Sequence, residues 1–128
     1  MVVLFSGVER PDMDAKEYGR ASARMREIVA STPGFISFNT YSSADGEELV
    51  VARFDSLEAV EAWRNHPEHV ATQEKDRSTW SQEYWAQTSE SVREYHWTRG
   101  EGYESELREM FKARSEIQPS SSARQATE

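Results

Sequence analysis

The sequence predicts an α+β domain: a four-stranded antiparallel sheet with helices packed on one face. Three observations predict it. The hydrophobic spacing reads, in order, as strand, helix, strand, strand, helix pair, strand. Asp45-Gly46 is a strong hairpin signal and joins two halves that each repeat strand-helix-strand. The predicted strands are apolar on both faces, more than one helical layer covers. This order is the ferredoxin-like, split βαβ plan.

Val2 to Glu9 reads as the first strand, with Val3 and Phe5 on one side and Val2, Leu4 and Val8 on the other. Arg10-Pro11-Asp12 ends it. A helix follows from Asp14 to about Ser31, opened by Asp14 and Glu17 at capping-box spacing. Tyr18, Ala21, Met25, Ile28 and Val29 form its apolar stripe, and Arg20, Arg24 and Arg26 are expected on a solvated face. Pro33-Gly34 turns the chain. Phe35 to Tyr41 and Leu49 to Phe54 are the hairpin strands. In the next helix Asp55 and Glu58 are the expected caps, with Leu57, Val60 and Trp63 facing the core.

Pro67 lacks an amide hydrogen and suits a first helical turn, so a bend is expected at Asn65-His66 and a third helix from Pro67 to about Trp80. Tyr84 to Trp97 reads as the last extended segment, its broken alternation calling for a bulge. The domain is expected to span 1–99. A short amphipathic helix carrying Tyr103, Leu107, Met110 and Phe111 is expected over 100–117, and a disordered tail over 118–128.

The chain has 128 residues and a formal net charge of -8, so phosphate backbones are repelled and nucleic acid is not an expected partner. It has no cysteine, which removes disulfides and thiolate chemistry and suits a reducing cytoplasm. No run approaches the ~18 apolar residues of a membrane span. The second sheet face needs a cover. A second copy of the same sheet is the simplest one, so a homodimer is expected.

The richest stretch chemically is Ala62-Trp63-Arg64-Asn65-His66-Pro67-Glu68-His69, which holds two of the three histidines. His66 or His69 is a candidate base, because histidine titrates near pH ~6.5. Asn65, Arg64 and Asn39 are candidate oxyanion donors. Trp63, Trp80, Tyr84 and Phe38 are candidates to line an aromatic slot, and Gln73 lies at helical spacing beyond the bend. Each has a plainer role: core aromatic, helix cap or exposed residue. His66 and His69 bracket Glu68, but so short a motif, interrupted by Pro67, is a poor metal site, and no metal is expected.

The first strand, Ser31-Thr32-Pro33-Gly34-Phe35, Ala52-Arg53-Phe54-Asp55-Ser56 and Glu58-Ala59-Val60-Glu61-Ala62-Trp63-Arg64-Asn65-His66-Pro67-Glu68-His69 together resemble antibiotic biosynthesis monooxygenase (ABM) domains over about residues 1–97. The resemblance implies a dimeric α+β barrel. It implies either a cofactor-independent monooxygenase that oxidises a small aromatic, such as a polyketide-type phenol or anthrone, with molecular oxygen, or a haem-binding or haem-degrading protein. A non-catalytic binding protein is the third alternative. Haem-degrading members use an asparagine on the first strand, a tryptophan on the second helix and an axial histidine further on. Trp63 matches the tryptophan. Ser6 and Gly7 stand near the asparagine position, and Thr72 and Gln73 near the histidine position. The resemblance therefore favours the cofactor-free reading.

Overall fold

The computed structural model describes residues 1–100 and the backbone of 102–104. Its elements are β1 (Val2–Glu9), α1 (Ala15–Ala30), β2 (Phe35–Ser42), β3 (Glu48–Phe54), α2 (Leu57–Arg64), α3 (Pro67–Lys75), a π turn (Asp76–Trp80), β4 (Ser81–Ser89), β5 (His96–Thr98) and β6 (Gly102–Glu104). The main sheet is antiparallel, in the order β2-β3-β1-β4. This is the ferredoxin-like α+β fold that the element order predicts.

The helices pack on the face carrying Phe5, Phe38, Val50, Ala52 and Phe54, which bury against Met25, Ile28, Val29, Ala59, Val60 and Trp63. Alternation on β1 is as expected: Phe5 is core and Val8 is exposed. The other face also buries residues, among them Ser6, Ser37, Asn39 and Val51.

Local chemistry explains the boundaries. Asp14 caps α1, its carboxylate accepting from the amides of Lys16 and Glu17. Only half of the capping box forms, because the Glu17 side chain turns to Trp80. Gly34 has φ of +90°, and a Cβ there would run into the Asp55 carboxylate and the Ala59 methyl. Ser56, not Asp55, caps α2, accepting from the amide of Ala59. Leu57 is exposed and Ala59 takes the core position expected of it, because that cap sets the phase of the helix.

Four further expectations are corrected. The third helix does not run to Trp80 as one α-helix; it widens into the π turn at Asp76. The last extended segment is not continuous: β4 stops at Ser89, and Trp97 lies in a separate two-stranded sheet with β6. Ser and Glu at 89–91, with the exposed Val92, lack an apolar side to hold a longer strand. Tyr103, expected on a helix, lies on β6; the rest of that expected helix and the 118–128 tail lie outside the described residues. Arg26 is not fully solvated, since its guanidinium sits 4.9 Å over the Phe38 ring.

Candidate functional site

The α2–α3 corner forms where the sequence places its bend. Asn65 is the C-cap of α2 and is exposed, and its amide donates to the Glu61 carbonyl. Arg64 is exposed beside it, 3.9 Å from Glu61. His66 is the N-cap of α3: its Nδ1 accepts from the amide of Glu68 at 3.1 Å, and Pro67 fills the first helical position. His69 turns inward. Its ring stacks on Trp63 with centroids 3.8 Å apart and planes 14° from parallel. Its Nδ1 lies 3.0 Å from the Trp63 carbonyl oxygen. The pair is buried at the edge of the core.

The remaining candidates scatter. Phe38 is core on β2. Asn39 is buried on the opposite sheet face, its Oδ1 without a hydrogen-bond partner among the described residues. Gln73 is half-buried on α3. Trp80 is buried on the π turn; its indole donates to Glu17 at 3.0 Å and meets Tyr18 edge-on at 5.3 Å. Tyr84 stacks near Phe5 at 5.2 Å and accepts from Arg77 at 2.8 Å. The structure thus brings Trp63 to His69, and separately brings Trp80 and Tyr84 to either side of the β1 end.

A cleft lies elsewhere. β3 pairs with β1 only as far as Ser6, opposite Leu49. Beyond it Gly7, Val8 and Glu9 keep β4 on one side and, among the described residues, have no strand on the other. The sheet therefore lacks a corner, and the β2–β3 hairpin folds across the gap. The result is a cleft of about 400 Å³ lined by Phe5, Tyr18 and Trp85, by Ser6, Gly7 and Ser81, and by the acidic residues Glu9, Asp45, Glu47, Glu48 and Glu83. None of the ten residues singled out from the sequence lines it. The sequence signal that marks it is Ser6-Gly7, two small residues inside an apolar strand. A Cβ on Gly7 would come within 3.0 Å of the Glu83 carbonyl and the Tyr84 Cβ.

Polar groups around the cleft are tied down. Ser6 donates to the Glu48 carbonyl at 2.9 Å and lies 3.2 Å from the Glu47 carboxylate. Ser42 donates to Glu48 at 3.0 Å. Asp45 is held below the usual carboxylate range by the Ser43 hydroxyl and the Glu47 amide. Behind Ser81 lies Asp76, 4% exposed, which accepts from the Ser81 hydroxyl at 2.6 Å. Burial pushes the Asp76 carboxyl up, against the opposing pull of Ser81 and Arg77.

Comparison with known proteins places this geometry in a family. The antibiotic biosynthesis monooxygenase model matches residues 10–75. YqjZ of Bacillus subtilis, an uncharacterized protein, is 38% identical over 82 residues, covering 64% of this chain and 70% of that protein. A mycobilin-producing heme oxygenase of Mycobacterium tuberculosis is 34% identical over 68 residues, covering 52% of this chain and 65% of the enzyme. SnoaB, a cofactor-independent oxygenase from Streptomyces nogalater, superposes with a TM-score of 0.54 at 15% identity, over 71% of this chain and 93% of that one.

The lining of the cleft offers no histidine to a haem iron. An axial ligand must offer a lone pair to open space. His69 is buried with its Nδ1 at the Trp63 carbonyl, His66 caps a helix through its Nδ1, and His96 sits on β5 beside Thr98. None of them lines the cleft, and five acidic lining residues would oppose haem propionates. The space between helices and sheet is filled by Phe5, Phe38 and Trp63. Fold, topology and the match over residues 10–75 agree: this chain belongs to the antibiotic biosynthesis monooxygenase family.

Proposed function

We propose that the protein is a cofactor-independent monooxygenase that oxidises a small, electron-rich aromatic, a phenol or anthrone, in the cleft at the missing sheet corner. The observation that carries this reading is the cleft itself, in a chain of this family. Its about 400 Å³ suits a small fused-ring molecule, and Phe5, Tyr18 and Trp85 are among the residues that line it. The acidic lining admits a neutral aromatic and repels an anionic one. A cofactor-free route also needs no metal or haem ligand. SnoaB, described as cofactor-independent, shares the fold.

The chemistry needs three things from the protein: a bound aromatic, removal of one proton, and exclusion of water. The resulting carbanion or phenolate passes one electron to dioxygen. The radical pair combines to a peroxide, which loses water and leaves a carbonyl. For an anthrone, the CH₂ becomes C=O, one oxygen atom enters the product and the other leaves as water.

Oxygen uptake with an anthrone or dihydroquinone, after treatment with a chelator, tests the reading. Uptake should exceed the protein-free control, and Trp85→Ala should lower kcat/KM about tenfold by removing one wall. Uptake equal to the control would sink it, and a sharp Soret band on adding haemin would move the assignment to haem. We take the assembly to be a homodimer through the sheet face away from the helices, where Val8 and Tyr41 are exposed. Sedimentation should give twice the chain mass, and Tyr41→Lys should reduce it.

A further inference from the structure

We propose that Ser81 and Asp76 form a proton-accepting pair in the wall of this cleft, with Ser81 touching the ligand and Asp76 acting through it. The inference rests on the cleft being the reaction site. Among the described residues Asp76 is a buried carboxylate, 4% exposed, bonded to a residue that lines the cleft. Its Oδ1 lies 2.6 Å from the Ser81 hydroxyl oxygen, a short charge-assisted contact. Ser81 is on the cleft wall and opens β4 directly after the π turn.

The backbone explains why the carboxylate is there. Asp76 follows the buried His69 by seven residues, so the helical period of α3 carries it to the inward face. Asp76 opens the π turn, and Trp80 closes it under Tyr18. The β1 end locks it, since the Arg10 amide donates to the Trp80 carbonyl at 2.7 Å. The charged groups packed around the turn are Arg77 within it, Lys75 and Glu17 paired at 3.5 Å, and Arg10, whose guanidinium reaches the Ser78 carbonyl and Asp12. Of these, Arg77 acts on Asp76 and opposes the effect of burial. Glu9 is the cross-strand partner of Ser81 on β1 and Glu83 lies two residues further along β4, and both line the cleft.

The proton count closes. The acidic X–H bond of the ligand breaks and its proton goes to the Ser81 oxygen, while the Ser81 proton passes to Asp76 Oδ1. The ligand is left as the anion and the carboxyl as neutral, so the charge of the site is unchanged. A buried carboxylate suits this step, because burial favours the neutral form it reaches.

The test reads proton abstraction without oxygen. An anthrone is incubated anaerobically in D₂O with the full-length protein, and exchange at its acidic carbon is followed by NMR from about pH 4 to about pH 9. The wild type should accelerate exchange, with an acidic limb above the ordinary carboxylate value. Asp76→Asn and Ser81→Ala should each lose that limb and slow exchange by about a hundredfold, while Ser81→Thr retains both. Circular dichroism and Tm confirm that each variant is folded. A folded Asp76→Asn protein that keeps the limb, or a wild type that does not accelerate exchange, overturns the pair. Exchange without oxygen uptake leaves the pair standing and removes the monooxygenase reading; uptake with exchange indifferent to both substitutions does the reverse.

Discussion

The α2–α3 corner and the cleft at the missing sheet corner are built in opposite ways. The first concentrates histidine, tryptophan, arginine and asparagine within eight residues of sequence. The second is assembled from four separate segments, most of whose residues attract no notice singly. Yet the two imidazoles of the corner face backbone, His66 at the Glu68 amide and His69 at the Trp63 carbonyl, while Arg64 and Asn65 are exposed. A sharp helix–helix bend leaves several amides and carbonyls without helical partners, and polar side chains near the bend answer them. Chemical richness in a short stretch therefore reports the demands of a turn as readily as those of a reaction.

Trp63→Ala should separate the two regions most. Trp63 is 5% exposed, belongs to the main core cluster and supports the His69 ring. Its removal should cost about 3–5 kcal/mol of stability by denaturant unfolding. Trp85, 46% exposed on the cleft wall, should lose less than about 1 kcal/mol on the same substitution while losing substrate turnover. Equal stability losses at the two tryptophans would erase the distinction.

The fold was legible because it follows from periodicity and punctuation. Alternation located β1, β2 and β3; Pro33-Gly34, Asp45-Gly46 and Pro67 located the turns. β4 was half legible, since Tyr84 to Ser89 alternate, but its start at Ser81 depends on a π turn with no sequence rule. The site was less legible. Trp63 and His69 do meet, as six residues spanning a bend allow, but the cleft arises from unequal strand pairing: β1 outruns β3. That mismatch exists only once register is set. Ser6-Gly7 was its single trace.

His66→Ala sharpens the reading of the corner. Removing the Nδ1 acceptor leaves the Glu68 amide without its cap, at a cost of about 1 kcal/mol. Turnover at substrate saturation should be unchanged once the protein is folded. A large loss of kcat with normal stability would return the base to this histidine.

Asp76→Asn adds a pH signature on the cleft side. The folded-state carboxyl is raised by burial above its unfolded value, so the folded chain binds the proton more tightly. Its stabilising contribution is present below the unfolded value, near pH 3.8, and is lost as pH rises through the raised folded one. Glu68 and Asp45, both lowered, work in the opposite direction and lose their contributions as pH falls. The difference between wild type and Asp76→Asn isolates the first effect. Wild-type stability should fall relative to the variant as pH rises through that window, and parallel curves would show that Asp76 does not titrate there.

Arg24→Ala should have the smallest effect, although its geometry is the most regular at the corner. The guanidinium grips the Glu68 carboxylate with two bonds of 2.8 and 2.9 Å and also reaches Glu27, tying α1 to the first turn of α3. The hydrogen bonds from Arg24 hold the Glu68 carboxyl below its ordinary range. Both side chains are about half exposed, so water competes for each charge and salt screens the attraction. The substitution should lower Tm slightly at low ionic strength, and the difference should vanish at about 1 M salt. A loss that persists in high salt would mean that this ion pair fixes how α3 docks on α1, and the corner would then owe its shape to charge as well as to the Trp63–His69 stack.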